Sequence, residues 1–281
     1  MKYIFFGTPR FAEIVLKKLI DSGMLPVALV CNPDKPVGRK KVITPPPTKK
    51  LLTTNYSLPT VILQPEKLDD EFLTRLKKLK ADFYVVAAYA KILPKKLLQI
   101  PHLGVIGVHP SLLPKYRGAT PIQSAILSGG EKTGISLYLI DEGMDSGSIL
   151  AQRELEIVDV DYRKLEEELA ELAGAMLVET LPKFVKGEIK PMPQDDSRAT
   201  YTRKFKTEDG FIDSEALRKA EAGDKKLAKE IYNKIRALNP EPGVYTIKNG
   251  KRIKLLKAKL AESGELILLE IQKEGGKPQT I

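Results

Sequence analysis

At 281 residues, with 42% hydrophobic and 29% charged side chains, the chain can hold two domains that each bury a core. Its longest apolar runs, such as 83–90, are strand-length and far short of the roughly 20 residues a membrane-crossing helix needs. A single cysteine, Cys31, rules out an internal disulfide. The net charge of +10 points to a polyanionic partner, or else to a surface charged for solubility.

Lys2 to Phe6 reads as a buried strand that ends in Gly7-Thr8-Pro9 and lacks the n-region and h-region of a signal peptide, so a cytoplasmic location is expected. Phe11 to Ser22 is a helix with Ala12, Val15, Leu16 and Leu19 on one face, and Pro26 to Cys31 is a second strand. This β-α-β opening predicts a doubly wound, mostly parallel sheet. Gly7 stands without the G-x-G-x-x-G spacing, so no dinucleotide is inferred. Residues 32–50 hold six Lys or Arg against one Asp, and their prolines predict a basic loop without regular structure. A helix at 51–54 and a strand at 60–63 follow. Leu68, Phe72, Leu76 and Leu79 then mark a helix, residues 82–88 a central strand, and Ile92-Leu93-Pro94 the start of a short helix.

Gly104 to Val108 is another central strand, 121–128 a helix, 134–140 and 149–157 strands, and 162–181 a long amphipathic helix. The first domain is therefore set at 1–193, the polar stretch 194–206 as a linker, and 207–281 as a second, smaller domain. In that domain a helix at 224–238 ends in Asn239-Pro-Glu-Pro-Gly243, and three strands follow, which predicts a small barrel. Residues 202–281 carry 18 basic and 12 acidic side chains, so six of the ten net charges lie there.

The chemistry concentrates between Gly104 and Gly147. An apolar strand delivers His109, one of only two histidines, to its end, and an acidic loop brings Asp141 and Asp145. A histidine titrates near neutrality, and a carboxylate beside it orients the ring and stabilises its charged form. No nucleophile elbow and no zinc-ligand spacing are present, so the site suits proton transfer during attack by an external nucleophile. A histidine beside a proline at a strand end also suits a purely structural role.

Five stretches carry a resemblance: Phe5-Phe-Gly-Thr-Pro9, Asn32-Pro-Asp-Lys-Pro-Val-Gly-Arg39, Val86-Ala-Ala-Tyr-Ala-Lys-Ile-Leu-Pro94, Val108-His-Pro-Ser-Leu-Leu-Pro-Lys-Tyr-Arg-Gly-Ala119 and Asp141-Glu-Gly-Met-Asp-Ser-Gly147. Together they resemble the methionyl-tRNA formyltransferase family over nearly all of the first domain, and Asn239-Pro-Glu-Pro-Gly243 continues the likeness into the second. The resemblance implies a Rossmann-type formyltransferase domain and a C-terminal, OB-like β-barrel that helps hold tRNA. It implies 10-formyltetrahydrofolate as donor and initiator methionyl-tRNA as acceptor, with no metal, no membrane and a monomeric chain. In such enzymes the methionyl amine attacks the formyl carbon, and a tetrahedral intermediate collapses to release tetrahydrofolate.

Carried over by position, His109 is the catalytic histidine and Asp145 its acidic partner. Ser111, Leu112, Leu113 and Pro114 line the folate site with Asp141, and Val86, Ala87, Ala88, Tyr89, Ile92, Leu93 and Pro94 surround the pterin. Arg39, Lys40, Lys41 and Arg117 face tRNA. The chain departs from the family's Asn-x-His pattern, having Gly107-Val108-His109. A side-chain amide expected to hold the formyl oxygen is missing, and one such donor is typically worth roughly 10²–10³ in rate. Reduced activity is expected, restored in part by Gly107→Asn. Two further readings stay open: formyl transfer to a nucleotide-linked amino sugar, and a folate- or tRNA-binding protein without transfer.

Overall fold

The structure, a computed structural model, describes residues 1–38, 40–56 and 60–281. Its main sheet contains β1 (Tyr3–Gly7), β2 (Ala28–Val30), β3 (Val61–Leu63), β4 (Phe83–Ala87), β5 (Val105–His109), β6 (Lys132–Leu139) and β7 (Ile149–Glu156), in the order β7-β6-β5-β4-β1-β2-β3. β1 pairs in parallel with β2 and β4, and β2–β3 and β4–β5 are also parallel, whereas β6 runs antiparallel to β5. The principal helices are α1 (Arg10–Asp21), α2 (Asp70–Lys78), α3 (Pro121–Leu127), α4 (Tyr162–Val185), α5 (Ser214–Glu221) and α6 (Lys225–Leu238).

The central strands are continuous apolar runs because both of their faces are covered. Ile4 and Phe6 pack with Phe72, Leu73 and Leu76 of α2 on one face. On the other, Phe83 meets Phe184 of α4 edge-on at 6.0 Å and stacks on Tyr3 at 5.5 Å. α2 begins where the Asp69 carboxylate accepts the Phe72 amide, which satisfies one of the helix's unpaired N–H groups. The strand order reverses beside β1, so the carboxyl ends of β1, β4 and β5 open onto a crevice of the kind in which such sheets bind ligands.

The basic loop is more ordered than its prolines suggested. Lys35–Val37 and Val42–Thr44 form an exposed antiparallel hairpin, and Pro47–Lys50 is a helical turn that continues as a wider one through Leu51–Tyr56. Pro36 is tolerated because it lies on an edge, and Pro47 because an N–H in the first helical turn has no intrahelical partner.

The chain divides into two compact units, one made of 1–117, 134–155 and 166–200, the other of 118–133, 156–165 and 201–281. The second therefore also draws in two segments that precede residue 193. Its sheet is a meander of β8 (Tyr245–Lys248), β9 (Lys251–Leu260), β10 (Leu266–Lys273) and β11 (Pro278–Thr280), antiparallel and in linear order. α5 was not expected from the sequence. It is capped by Asp213, whose carboxylate accepts the amides of Glu215 and Ala216. Asn239 ends α6 by donating from Nδ2 to the carbonyls of Ile235 and Leu255, at 3.0 and 2.9 Å. Among the described residues no helix is long and apolar enough to cross a membrane.

Candidate active site

His109 stands at the carboxyl end of β5, only 6% exposed. Its Nε2 lies 2.9 Å from the carbonyl oxygen of Tyr116, and its Nδ1 lies 3.6 Å from Oδ2 of Asp145. A carbonyl can only accept, so Nε2 carries a proton and the neutral ring keeps its lone pair on Nδ1. Burial pushes the pKa of the ring below its ordinary value, and the Asp145 charge and the Tyr116 carbonyl oppose that only in part. The ring is a neutral base at pH 7. At 3.6 Å the carboxylate is beyond a normal hydrogen bond but well placed to stabilise the imidazolium once Nδ1 takes a proton.

Asp145 occupies the left-handed backbone region, at φ 50°, where a side chain other than glycine is held at some cost. Gln194 holds it there. Its Nε2 donates to the carbonyls of Asp145 and Gly147, each at 2.8 Å, while its Oε1 accepts from the guanidinium of Arg117. Only glycine fits at 147, since a Cβ would lie 1.6 Å from the Leu139 carbonyl oxygen. The Asp141 carboxylate accepts from the Gly143 amide and the Ser146 hydroxyl and so shapes the loop.

The space beside Gly107 is filled. Gly107 and Tyr138 are direct partners across β5 and β6, and a Cβ on Gly107 would lie 2.3 Å from a ring carbon of Tyr138. The Tyr138 ring is 5% exposed, and its hydroxyl donates to Oδ1 of Asp145 at 2.6 Å. Gly107→Asn therefore places an amide only if the Tyr138 ring shifts, a condition the sequence did not reveal. It drives a side chain into a buried, hydrogen-bonded ring.

The loop after His109 is held from within. The Ser111 hydroxyl, fully buried, donates to the Lys115 carbonyl, and Ser136 joins the Leu113 amide to the Ser111 carbonyl. Gln152 donates to the Leu113 carbonyl and to Ser136. Ser111 and Leu113 thus shape the loop, with Leu113 packed on Tyr138 and Ile149, while Leu112 and Pro114 are partly exposed. At the end of β4, Ala87 is fully buried, Ala88 is exposed in the left-handed region, and Val86, Tyr89 and Leu93 lie against the core, partly open. Ile92 is 95% exposed and precedes the helical turn Lys95–Leu98, whose N-cap is Pro94 in extended backbone, so the expected helix starts later than Ile92. Among the described residues the Tyr89 hydroxyl is buried without a hydrogen-bond partner, and burial pushes its pKa up to about 12.

Of the residues expected to face tRNA, Lys40 and Lys41 are exposed and Arg39 lies outside the described residues. Arg117 does not fit that expectation. It is 2% exposed, and its guanidinium bonds Gln194 and, at 2.6 Å, Asp196. Arginine is the residue for planar, multi-donor anchoring, and here the anchoring is internal. Tyr138 and Gln194 were missed from the sequence. Tyr138 looked like one more apolar strand residue, and Gln194 lay in a polar stretch without periodicity.

Two family patterns match the chain: one described as formyl transferase, over residues 1–181, and one described as formyl transferase, C-terminal domain, over 225–266. A methionyl-tRNA formyltransferase of Halalkalibacterium halodurans is 42% identical over 96% of this chain and 84% of its own length. The solved methionyl-tRNA formyltransferase from Clostridium thermocellum superposes with a TM-score of 0.61 at 20% identity, covering 100% of this chain and 99% of the other. An N-formyltransferase from Helicobacter canadensis, solved with folinic acid and dTDP-3-aminofucose, gives a TM-score of 0.64 at 17% identity over 93% of this chain and 88% of the other, a likeness of fold alone.

Proposed function

The chain belongs to the formyl transferase family, and from that premise we propose that it moves a formyl group from 10-formyltetrahydrofolate to the amine of initiator methionyl-tRNA, using His109 to manage the amine's proton. The observation that carries this reading is a neutral, buried imidazole whose tautomer is fixed by the Tyr116 carbonyl and whose basic nitrogen faces the Asp145 carboxylate. An amine that gains an acyl group must lose a proton. His109 Nδ1 accepts it, and Asp145 stabilises the resulting imidazolium. The loop fixed by Ser111, Ser136 and Gln152 holds the histidine in place while this happens.

The bound folate supplies the activated formyl group. The residues present suit it. Val86, Tyr89 and Leu93 offer a partly open apolar wall at the carboxyl end of β4. The exposure of Lys40 and Lys41 on the hairpin supports their contact with the acceptor's phosphates.

The test supplies the protein in excess with 10-formyltetrahydrofolate and, in separate reactions, charged initiator tRNA or a nucleotide-linked amino sugar. Formylmethionyl-tRNA is expected, with a loss of about 10²–10⁴ in rate in His109→Gln. Formylation of the sugar but not the tRNA, or of neither, overturns the reading.

A further inference from the structure

We propose that Tyr138 is a positioning residue: it occupies the space left by Gly107 and, through its hydroxyl, holds the Asp145 carboxylate against His109. This rests on the proposed function for the reaction involved, though not for the geometry. Three observations converge on it. The ring lies where a side chain on Gly107 would lie, so glycine at 107 and tyrosine at 138 are one packing solution made by two residues. The hydroxyl donates to Oδ1 of Asp145 at 2.6 Å, which turns the other oxygen, Oδ2, toward Nδ1 of His109. The Tyr138 and His109 rings meet edge-on, their centroids 6.5 Å apart at 89°, so phenol, carboxylate and imidazole form one closed cluster.

The phenol keeps its proton. Burial, reinforced by the charges of Asp145 and Asp141, holds its pKa well above the usual tyrosine value. A phenol has a single O–H to donate, and here it goes to Asp145. Tyr138 therefore replaces the bulk of the family's amide without replacing its donor to the formyl oxygen, and its influence on the reaction passes through Asp145 and His109. The groups acting on His109 are Asp145 and the Tyr116 carbonyl, and those acting on Tyr138 are Asp145 and Asp141.

Tyr138→Phe tests this, because it keeps the ring and removes only the hydroxyl. Without the phenol donor the carboxylate is no longer held against the imidazole, and the protonated ring loses stabilisation. The NMR titration midpoint of His109 is expected to fall by about one pH unit, and the acid limb of kcat/KM for formylation to fall with it. A fall in kcat of about tenfold, with KM for tRNA unchanged, is expected alongside. The chain has two histidines, so His102→Gln assigns the His109 signal without touching the site. An unmoved His109 midpoint with an unmoved kcat overturns the proposal and leaves Tyr138 as filler. The titration needs no substrate. A protein that fails to formylate tRNA, yet whose His109 midpoint moves in Tyr138→Phe, overturns the reaction and supports the positioning role.

Discussion

Gly107 and Tyr138 show how two residues can exchange volume across a strand pair. A one-sided change breaks the exchange. Gly107→Asn is expected to destabilise the protein by roughly 1–3 kcal/mol in urea unfolding, the range for an overpacked core. The double variant Gly107→Asn with Tyr138→Leu is expected to recover much of that loss and, with the amide now placed, to formylate faster than either single change. A double variant no more stable than Gly107→Asn alone contradicts the paired packing. His109 has its own signature. Its folded pKa lies below that of the unfolded chain, about 6.5. Above that pH neither state is charged and the residue has no effect on stability; as pH falls below it, the unfolded chain binds the extra proton and stability drops. His109→Gln should flatten that part of the stability curve. The meeting of His109 with Asp145 could be expected from the sequence because an imidazole and a carboxylate are recognisable by residue type. Tyr138 could not, because its meaning depends on the register that sets it opposite Gly107.

At the scale of elements, the site consists of two loops tied together by polar contacts. Arg117 on the loop after β5 and Gln194 on the stretch before α5 hold the histidine loop to the acidic loop. Arg117→Ala is expected to cost about 2–3 kcal/mol, the scale of lost hydrogen bonds to a buried charge, and to lower formylation. The salt dependence of tRNA binding should stay as it is. A reduced salt slope with native stability would instead make Arg117 a phosphate contact. The strands of the main sheet were visible to within a residue or two, since apolar runs such as Tyr3–Gly7 and Val105–His109 have no competing reading, whereas the short polar strand Pro278–Thr280 was not. The stretch 194–206 read as a linker because its order comes from hydrogen bonds, which leave no hydrophobic period. The hairpin of the basic loop was hidden by prolines at positions where a missing N–H removes nothing. α5 was missed because it buries only Leu217 and Ala220.

At the scale of the whole molecule, the net charge of +10 sets the terms on which a polyanion is met. The exposed hairpin holds Lys40 and Lys41 and gives the tRNA reading a local test. Each lysine that neutralises a phosphate adds about 0.7–0.9 to the slope of log affinity against log salt. Lys40→Ala with Lys41→Ala should lower that slope by one to two such steps and leave kcat at saturating tRNA unchanged. An unaltered slope removes the hairpin from the interface. Belonging to the formyl transferase family fixes the class of reaction, and the departure at residue 107 makes the cluster of His109, Asp145 and Tyr138, and the proton transfer proposed for it, the part of this chain that most needs measurement. The most direct measurement is kcat/KM for methionyl-tRNA formylation against pH in the native protein and in Asp145→Asn, which keeps the side-chain shape and removes its charge. The account predicts a native plateau near neutrality that falls on the acid side, and a loss of about 10² or more in the variant. Equal rates and the same profile in both proteins would contradict it.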